Sequence, residues 1–205
     1  MSTRKTGRAI RELIATTERL IVVVAGSNGA GKTTFVETIL HPLGIRVVNP
    51  DAIAHALFPD APVEAAYEAA RAADVVRADL VRRHLSFCTE TVFSDREGAK
   101  LAFLRKARER GYTVILVFIG LASSDLAIAR VMQRTEDGGH DVPDQKIRER
   151  FPRTLENLRE ALEFVDHAFL FDNSSAESPY RFVAELRSGR VVKRGTFRPR
   201  WWPRR

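Results

Sequence analysis

Apolar residues in this chain are grouped into short runs with little polar alternation, and longer stretches of mixed apolar and charged residues lie between the runs. Runs of this kind are typical of strands that are covered on both faces of a sheet. The pattern predicts strands at Leu20–Ala25, Ile45–Asn49, Phe87–Phe93, Tyr112–Gly120 and Ala168–Phe171.

The stretches between the runs have helical character. Ser94 and Glu97 have the spacing of a capping box, which predicts that a helix begins there. Pro152 is expected to bend or divide the last long helix. Helices are predicted at 8–19, 33–40, about 63–85, 94–110, from Ser123 or Ser124 to about 138, and at about 144–163, and a hairpin is predicted at 181–194.

Residues 26–34 read GSNGAGKTT and stand between the first predicted strand and the following helix. Gly26, Gly29 and Gly31 allow the backbone to turn its N–H groups towards phosphate oxygens. Lys32 is then placed to bind the β- and γ-phosphates, and the Thr33 hydroxyl to bind Mg²⁺. The motif predicts that ATP or GTP binds with Mg²⁺ on Gly26, Ser27, Asn28, Gly29, Ala30, Gly31, Lys32, Thr33 and Thr34.

Strands that alternate with helices predict an α/β fold, here a P-loop NTPase three-layer sandwich with a five-stranded, mainly parallel sheet and helices on both faces. The chain has 205 residues and fits a single domain, residues 1–205. A lid segment at about 130–153 and a small basic C-terminal β-hairpin with its tail, at about 180–205, complete the prediction. Ligands of such sheets bind at the carboxyl ends of the strands, so polar residues there are the candidates for chemistry.

Asp51 follows the second predicted strand in the sequence VVNPDAIA. Its carboxylate is suited to accept the proton of an acceptor hydroxyl near the γ-phosphate. An aspartate before Ala-Ile-Ala is equally suited to cap a helix. The residues alone favour neither interpretation.

Glu90 lies between Thr89 and Thr91 inside the apolar third strand. An unpaired buried carboxylate would cost several kcal/mol, so Glu90 requires a partner. Mg²⁺ through water, or a substrate hydroxyl, is the preferred partner. The alternative is a buried ion pair with an arginine of a neighbouring helix.

Arginines stand on both sides of the glycine-containing stretch 136–143. Such a segment is typical of a lid that brings guanidinium groups onto a transferring phosphoryl group and excludes water. The alternative is a solvated helix face. The residues concerned are Arg130, Arg134, Arg148, Arg150 and Arg153.

The net charge of +7 is concentrated at the C-terminal end, because residues 187–205 carry eight Lys or Arg and no acid, which leaves residues 1–186 at 7 − 8 = −1. Arginines alternate there with Trp201 and Trp202, a pattern suited to stacking on nucleic-acid bases or to contact with a membrane surface. The favoured alternative is a flexible, solvated end.

The cysteine content and the distribution of apolar residues indicate where the protein is located. Cys88 is the single cysteine, so it is expected to be a buried structural thiol in a reducing cytoplasm. The start of the chain lacks the pattern of a signal peptide, and no stretch approaches about 18 uncharged apolar residues. We therefore expect a cytoplasmic protein without a transmembrane segment.

Six short sequences stand in order along the chain: GSNGAGKTT, NPDAIA, TETVFS, GGHDVP, RFPRTLENL and FDNS. In this order they resemble the zeta toxin family of P-loop kinases, over about residues 20–174. The resemblance implies that Asp51 is the catalytic base and that Glu90 and Thr91 bind substrate. It also gives the arginines that flank GGHDVP a phosphate-stabilising role.

The resemblance extends to the charged groups. Lys32, Arg134 and Arg150 are expected to stabilise the transition state, and Arg148 and His140 to contact the substrate. For His140, an ordinary position in a loop is an equally good interpretation. His140 stands where the family pattern leads us to expect an arginine.

Family members phosphorylate the 3′-hydroxyl of the sugar in UDP-N-acetylglucosamine and are held in check by a small antitoxin. The resemblance therefore implies an ATP- or GTP-dependent kinase of a small-molecule hydroxyl, with Thr33 and Glu90 organising Mg²⁺. The alternative is a regulatory or motor NTPase, in which water attacks the phosphate. The chain contains neither an NKxD guanine motif nor a transporter-type signature.

Overall fold

The computed structural model describes residues 3–58, 66–136 and 142–202. Its centre is one sheet of seven strands in the order β2-β3-β1-β4-β5-β6-β7. The strands are β1 (Leu20–Ala25), β2 (Val47–Val48), β3 (Phe87–Thr91), β4 (Thr113–Gly120), β5 (His167–Asp172), β6 (Arg181–Arg187) and β7 (Arg190–Arg194).

The first five strands are parallel, as their apolar runs predicted. The predicted hairpin is present as β6 and β7, but it is part of the same sheet, because β6 pairs antiparallel with β5 along its whole length. The sheet therefore has seven strands and not five. The reason lies in β6, whose five central residues, 182–186, are buried and give the hairpin an apolar surface to place against the core.

Seven α-helices connect or flank the strands within the described residues: α1 (Thr3–Thr16), α2 (Lys32–Phe35), α3 (Pro50–Leu57), α4 (Ala66–Arg82), α5 (Ala99–Glu109), α6 (Ser124–Glu136) and α7 (Asp144–Ala161). The short helix α2 continues as a π-helical segment, Val36–Leu40, which is followed by a 3-10 turn, His41–Leu43. Pro152 lies inside α7 without dividing it. The predicted start at Ser94 is wrong, because α5 begins only after Gly98, which has a φ of 65°.

Two apolar clusters cover the two faces of the sheet and complete the three-layer sandwich. Alternate residues of β1 belong to different clusters, with Ile21 and Val23 on one face and Val22 and Val24 on the other. This arrangement explains why β1 is apolar at every position. Cys88 is buried in one of the clusters, as expected. None of the described helices combines the length and apolar composition needed to cross a bilayer.

Up to Trp202, where the described residues end, the C-terminal segment differs from its prediction as a flexible, solvated end. Trp201 is buried and its ring centroid lies 5.3 Å from that of Phe118. The ring covers Gly120, where a Cβ would lie 2.2 Å from a carbon of the indole. Trp201 is therefore a core residue that ties the chain end to β4, and it is not available for stacking on a nucleic-acid base.

Candidate nucleotide-binding and phosphoryl-transfer site

The carboxyl ends of four parallel strands meet beside the glycine-rich loop. β1 ends at Ala25, which is level with Thr91 of β3 and with Phe118 of β4. β4 ends at Gly120, which is level with Asp172 of β5. This register brings residues from distant parts of the sequence to one edge of the sheet, where ligands of open parallel sheets bind.

The loop after β1 packs directly on the neighbouring strand. Gly26 has a φ of 156°, and a Cβ there would lie 2.3 Å from the carbonyl oxygen of Ile119, so only glycine fits. The loop closes through a turn in which the Ala30 N–H donates to the Ser27 carbonyl at 3.2 Å. Lys32 donates its ammonium to the same carbonyl at 2.9 Å. The lysine thus lies across the loop that is predicted to hold phosphates.

Glu90 connects the loop to the second strand. Its Oε2 accepts a hydrogen bond from the Thr33 hydroxyl at 2.9 Å, and its Oε1 accepts one from the Asn49 amide at 2.9 Å. Among the described residues these polar groups, and no arginine, are its hydrogen-bond partners. Burial raises the pKa of Glu90, and these two hydrogen bonds and the charge of Lys32 act in the opposite direction.

Asp51 is the second residue of α3 and is exposed. The cap of this helix is Asn49, whose side chain accepts a hydrogen bond from the Asp51 N–H at 2.8 Å, and Pro50 occupies the first turn. The capping role suggested for Asp51 thus belongs to Asn49. The carboxylate of Asp51 is close enough to act electrostatically on Lys32 and on Glu90.

The predicted arginines lie on two helices that pack against the core. Arg134 is near the end of α6 and Arg150 is in the second turn of α7. The charges of both act on Lys32. Arg150 is half-buried, and its pKa is lowered by burial and by Arg153. Arg148 forms an exposed ion pair with Asp125. His140, like residues 137–141 as a whole, lies outside the described residues.

Helix α7 also holds the loop that follows β3. Thr154 donates to the carbonyl of Val92 at 2.8 Å, and Asn157 donates to the carbonyl of Phe93 at 3.0 Å. Arg153 donates to the carbonyl of Ser94 at 3.1 Å. These bonds explain why no helix begins at Ser94. They also couple the helix that carries Arg150 to the strand that carries Glu90 and Thr91, whose hydroxyl accepts a hydrogen bond from the Phe93 N–H.

The electrostatics of the loop favour a polyanion. Burial lowers the pKa of Lys32 to about 8, with Arg134 and Arg150 acting in the same direction. The carboxylates of Glu90 and Asp51 oppose this shift only in part. The ammonium is therefore incompletely compensated in the free protein, and a phosphate group would supply the missing negative charge.

Lys32 is expected to cost the free protein stability in a pH-dependent way. Its pKa is about 8 in the folded chain and 10.5 for an unperturbed lysine, so between these values the unfolded chain binds more protons and stability rises with pH. Relative to Lys32→Met, the wild type should gain about 2 kcal/mol in unfolding free energy from pH 7 to pH 10. Denaturant titrations in metal-free buffer measure this difference. Lys106→Met, at an exposed position, is the control. The prediction would be contradicted if the difference in unfolding free energy from the wild type changed equally with pH for Lys32→Met and for Lys106→Met.

Several residues of the site were not predicted from the sequence. Asn49 was missed, although an Asn followed by Pro is a recognisable helix start. Asn173 and Tyr180 contact the loop through the carbonyl oxygens of Ala30 and Gly31. Asn173 follows a buried strand, which is a usable signal. Tyr180 has no comparable signal in the sequence.

The chain is similar to other proteins in sequence and in fold. A protein of Haemophilus influenzae described as uncharacterized is 25% identical over 142 residues, which are 69% of this chain and 99% of that protein. A chain in the crystal structure of AvrRxo1-ORF1:-ORF2 with ATP superposes with a TM-score of 0.69 at 17% identity, covering 92% of this chain and 68% of that one. A chain from the PezAT chromosomal toxin-antitoxin system of Streptococcus pneumoniae gives a TM-score of 0.62 at 17% identity, covering 89% and 79%.

The structural similarities show the fold, an α/β sandwich around a mostly parallel sheet, as the sequence predicted. The family assignment comes from the sequence itself, since residues 7–181 match the family model described as Zeta toxin. This range includes the glycine-rich loop, Asp51, Glu90 and both arginine-bearing helices. The chain therefore belongs to the zeta toxin family.

Proposed function

We propose that this protein is a kinase that transfers the γ-phosphoryl group of ATP or GTP to a hydroxyl group of a small molecule. The observation that carries the proposal is the arrangement around Glu90. This buried carboxylate joins Thr33 of the phosphate-binding loop to Asn49, and Asn49 caps the helix that presents Asp51. Asp51, Arg134 and Arg150 all act electrostatically on Lys32, which supports a common site for a base, a phosphate-binding lysine and two arginines.

The transfer step follows from these positions. The acceptor hydroxyl oxygen forms a bond to the γ-phosphorus while the bond from that phosphorus to the β,γ-bridging oxygen breaks. Asp51 takes the proton of the hydroxyl, and the nucleoside diphosphate leaves with the bridging oxygen. Lys32, Arg134 and Arg150 stabilise the negative charge that is shared among the phosphoryl oxygens in the transition state.

Thr33 and Glu90 fit a magnesium site. Mg²⁺ prefers oxygen ligands and is usually held by one or two protein groups together with phosphates and water. The described residues contain no cluster of three or more His, Cys, Asp or Glu, so such an ion would depend on the nucleotide for its remaining ligands. When bound, Mg²⁺ would supply positive charge that stabilises the phosphate oxygens during transfer.

The acceptor is proposed from the family. A UDP-sugar such as UDP-N-acetylglucosamine is the first candidate, with Glu90, Thr91, Arg148 and His140 as its contacts. Membership of the family also supports a role as the toxin of a toxin-antitoxin pair, with an antitoxin protein as partner. One structural relative comes from a system that is named a toxin-antitoxin system, and another comes from a complex of two proteins.

The experiment is a transfer assay with ATP labelled at the γ-phosphate, run with UDP-sugars, other sugar nucleotides, nucleosides and water alone. We expect the label to move to one acceptor class, and the release of free phosphate without acceptor to be slow. Rapid phosphate release that no acceptor stimulates would identify a hydrolysing NTPase and contradict the kinase proposal. Chelation of Mg²⁺ should stop both reactions.

A further inference from the structure

Two consecutive carbonyl groups of the phosphate-binding loop are held by side chains from the end of the sheet. The Asn173 amide donates to the carbonyl of Ala30 at 2.9 Å. The Tyr180 hydroxyl donates to the carbonyl of Gly31 at 2.8 Å. The two donors come from the connection between β5 and β6, which is far from the loop in sequence but adjacent in space.

Peptide geometry gives these bonds a consequence for the ligand side. In a trans peptide the C=O and the following N–H share one plane and point in opposite directions. The described chain contains no cis peptide. Holding the carbonyls of Ala30 and Gly31 therefore directs the N–H groups of Gly31 and Lys32 away from Asn173 and Tyr180. Backbone N–H groups at this position of a glycine-rich loop are the groups that bind phosphate oxygens.

The two donors are themselves fixed. The Asn173 N–H donates to the Gly120 carbonyl at 2.9 Å, and its side-chain oxygen accepts from the Tyr180 N–H at 3.1 Å. The Tyr180 ring packs edge-on against Phe35, with centroids 5.5 Å apart. A Cβ on Gly31 would lie 2.7 Å from the Asn173 amide nitrogen and 2.9 Å from the Tyr180 hydroxyl. The absence of a side chain at residue 31 is thus what lets both donors reach the loop.

Trp201 contacts the residue that precedes Asn173. Its indole N–H donates to Asp172 Oδ2 at 2.6 Å. Asp172 also accepts hydrogen bonds from the backbone N–H and the hydroxyl of Ser174, at 3.1 Å and 3.0 Å. The buried tryptophan therefore fixes the turn in which Asn173 stands between Asp172 and Ser174.

We infer that Asn173 and Tyr180 are positioning residues for triphosphate binding, and that Trp201 supports them from the C-terminal segment. The inference rests on the proposed nucleotide site and goes beyond it, because it assigns a role to residues that bind the carbonyl groups of the loop. Preorganised N–H groups bind an anion without paying for reorganisation at the moment of binding. Loss of either donor should therefore weaken nucleotide binding in a chain that remains folded.

The test is the affinity for MgATP by calorimetry, with the steady-state constants for ATP and for the acceptor. Tyr180→Phe removes one hydroxyl, and Asn173→Ala removes the other donor; each should weaken binding by about fivefold, the usual effect of one hydrogen bond. The KM for ATP should rise by a similar factor, and the KM for the acceptor should not change. Tyr112→Phe is the matched control, because the buried Tyr112 hydroxyl donates to carbonyls of Leu80 and Leu85, away from the loop.

Trp201 is tested in the same assay. Trp201→Phe keeps a ring over Gly120 but removes the N–H that donates to Asp172, and it should weaken MgATP binding by about threefold. Trp202→Phe is the control, since Trp202 is only partly buried. Wild-type affinity in folded Tyr180→Phe and Asn173→Ala, or an equal loss in Tyr112→Phe, would overturn the inference. If the wild-type protein binds MgATP but transfers phosphate to no acceptor, the kinase proposal is refuted. The positioning role would still hold, provided that the variants bind MgATP more weakly.

Discussion

Lys32→Met is expected to reduce phosphoryl transfer by about three orders of magnitude or more, which is the range found when one positive charge on the transferring phosphoryl group is lost. The ammonium donates to the loop carbonyl of Ser27 at 2.9 Å, and its charge is only partly neutralised by Glu90 and Asp51. Methionine retains most of the volume of the side chain, so the change removes charge more than packing. Single-turnover transfer of labelled phosphate measures the loss.

The same variant separates activity from stability. Lys32→Met should be inactive, but it should be at least as stable as the wild type at pH 7, because protonated Lys32 destabilises the free protein. The lost hydrogen bond to Ser27 offsets this gain by only about 1 kcal/mol. The exposed Lys106→Met should leave transfer unchanged. A transfer rate within tenfold of the wild type would remove Lys32 from the proposed mechanism.

Asp51→Asn is expected to reduce transfer to the acceptor by a factor of about 10² to 10⁴, the usual contribution of a general base. Asparagine keeps the shape of the side chain but accepts no proton at neutral pH. The helix that presents residue 51 should remain intact, because its cap is the side chain of Asn49. The loss should therefore appear in kcat, with little change in the affinity for ATP.

The control for Asp51→Asn is Asp144→Asn, which removes a carboxylate from the same region of another helix, the first turn of α7. Both substitutions lose a favourable interaction with the helix dipole, worth about 0.5 kcal/mol, but only Asp51 stands near Lys32. Transfer that is unchanged in Asp51→Asn, or that falls equally in both variants, would show that Asp51 is not the base.

Much of the fold was predictable because its signals are local. The parallel strands β1, β3, β4 and β5 were found from short continuous apolar runs, which are typical of strands covered on both faces. The prediction failed at Ser94, where the capping-box spacing was present but the carbonyl was bound by Arg153 of another helix. A tertiary contact outweighed the local preference, and α5 began five residues later at Ala99.

The C-terminal segment shows the same limit more strongly. Its eight cations and two tryptophans suggested a solvated end or a binding tail. In the fold, Trp201 is buried on Gly120 and donates to Asp172. Nothing in the neighbouring residues indicates this position, because the surface that accepts the indole is formed by β4 and β5.

By itself the sequence determined the position of the glycine-rich loop, the α/β fold and the family, because the residues responsible are contiguous or stand in a fixed order along the chain. Only the tertiary structure decided what surrounds that loop. It paired Glu90 with Thr33 and Asn49, and it made Asn49 rather than Asp51 the helix cap. It also placed Asn173 and Tyr180 against Ala30 and Gly31 of the loop, which are 143 and 149 residues away in the sequence. Contacts over such separations depend on the order and register of the strands, which join the ends of β1, β3, β4 and β5 at one edge of the sheet.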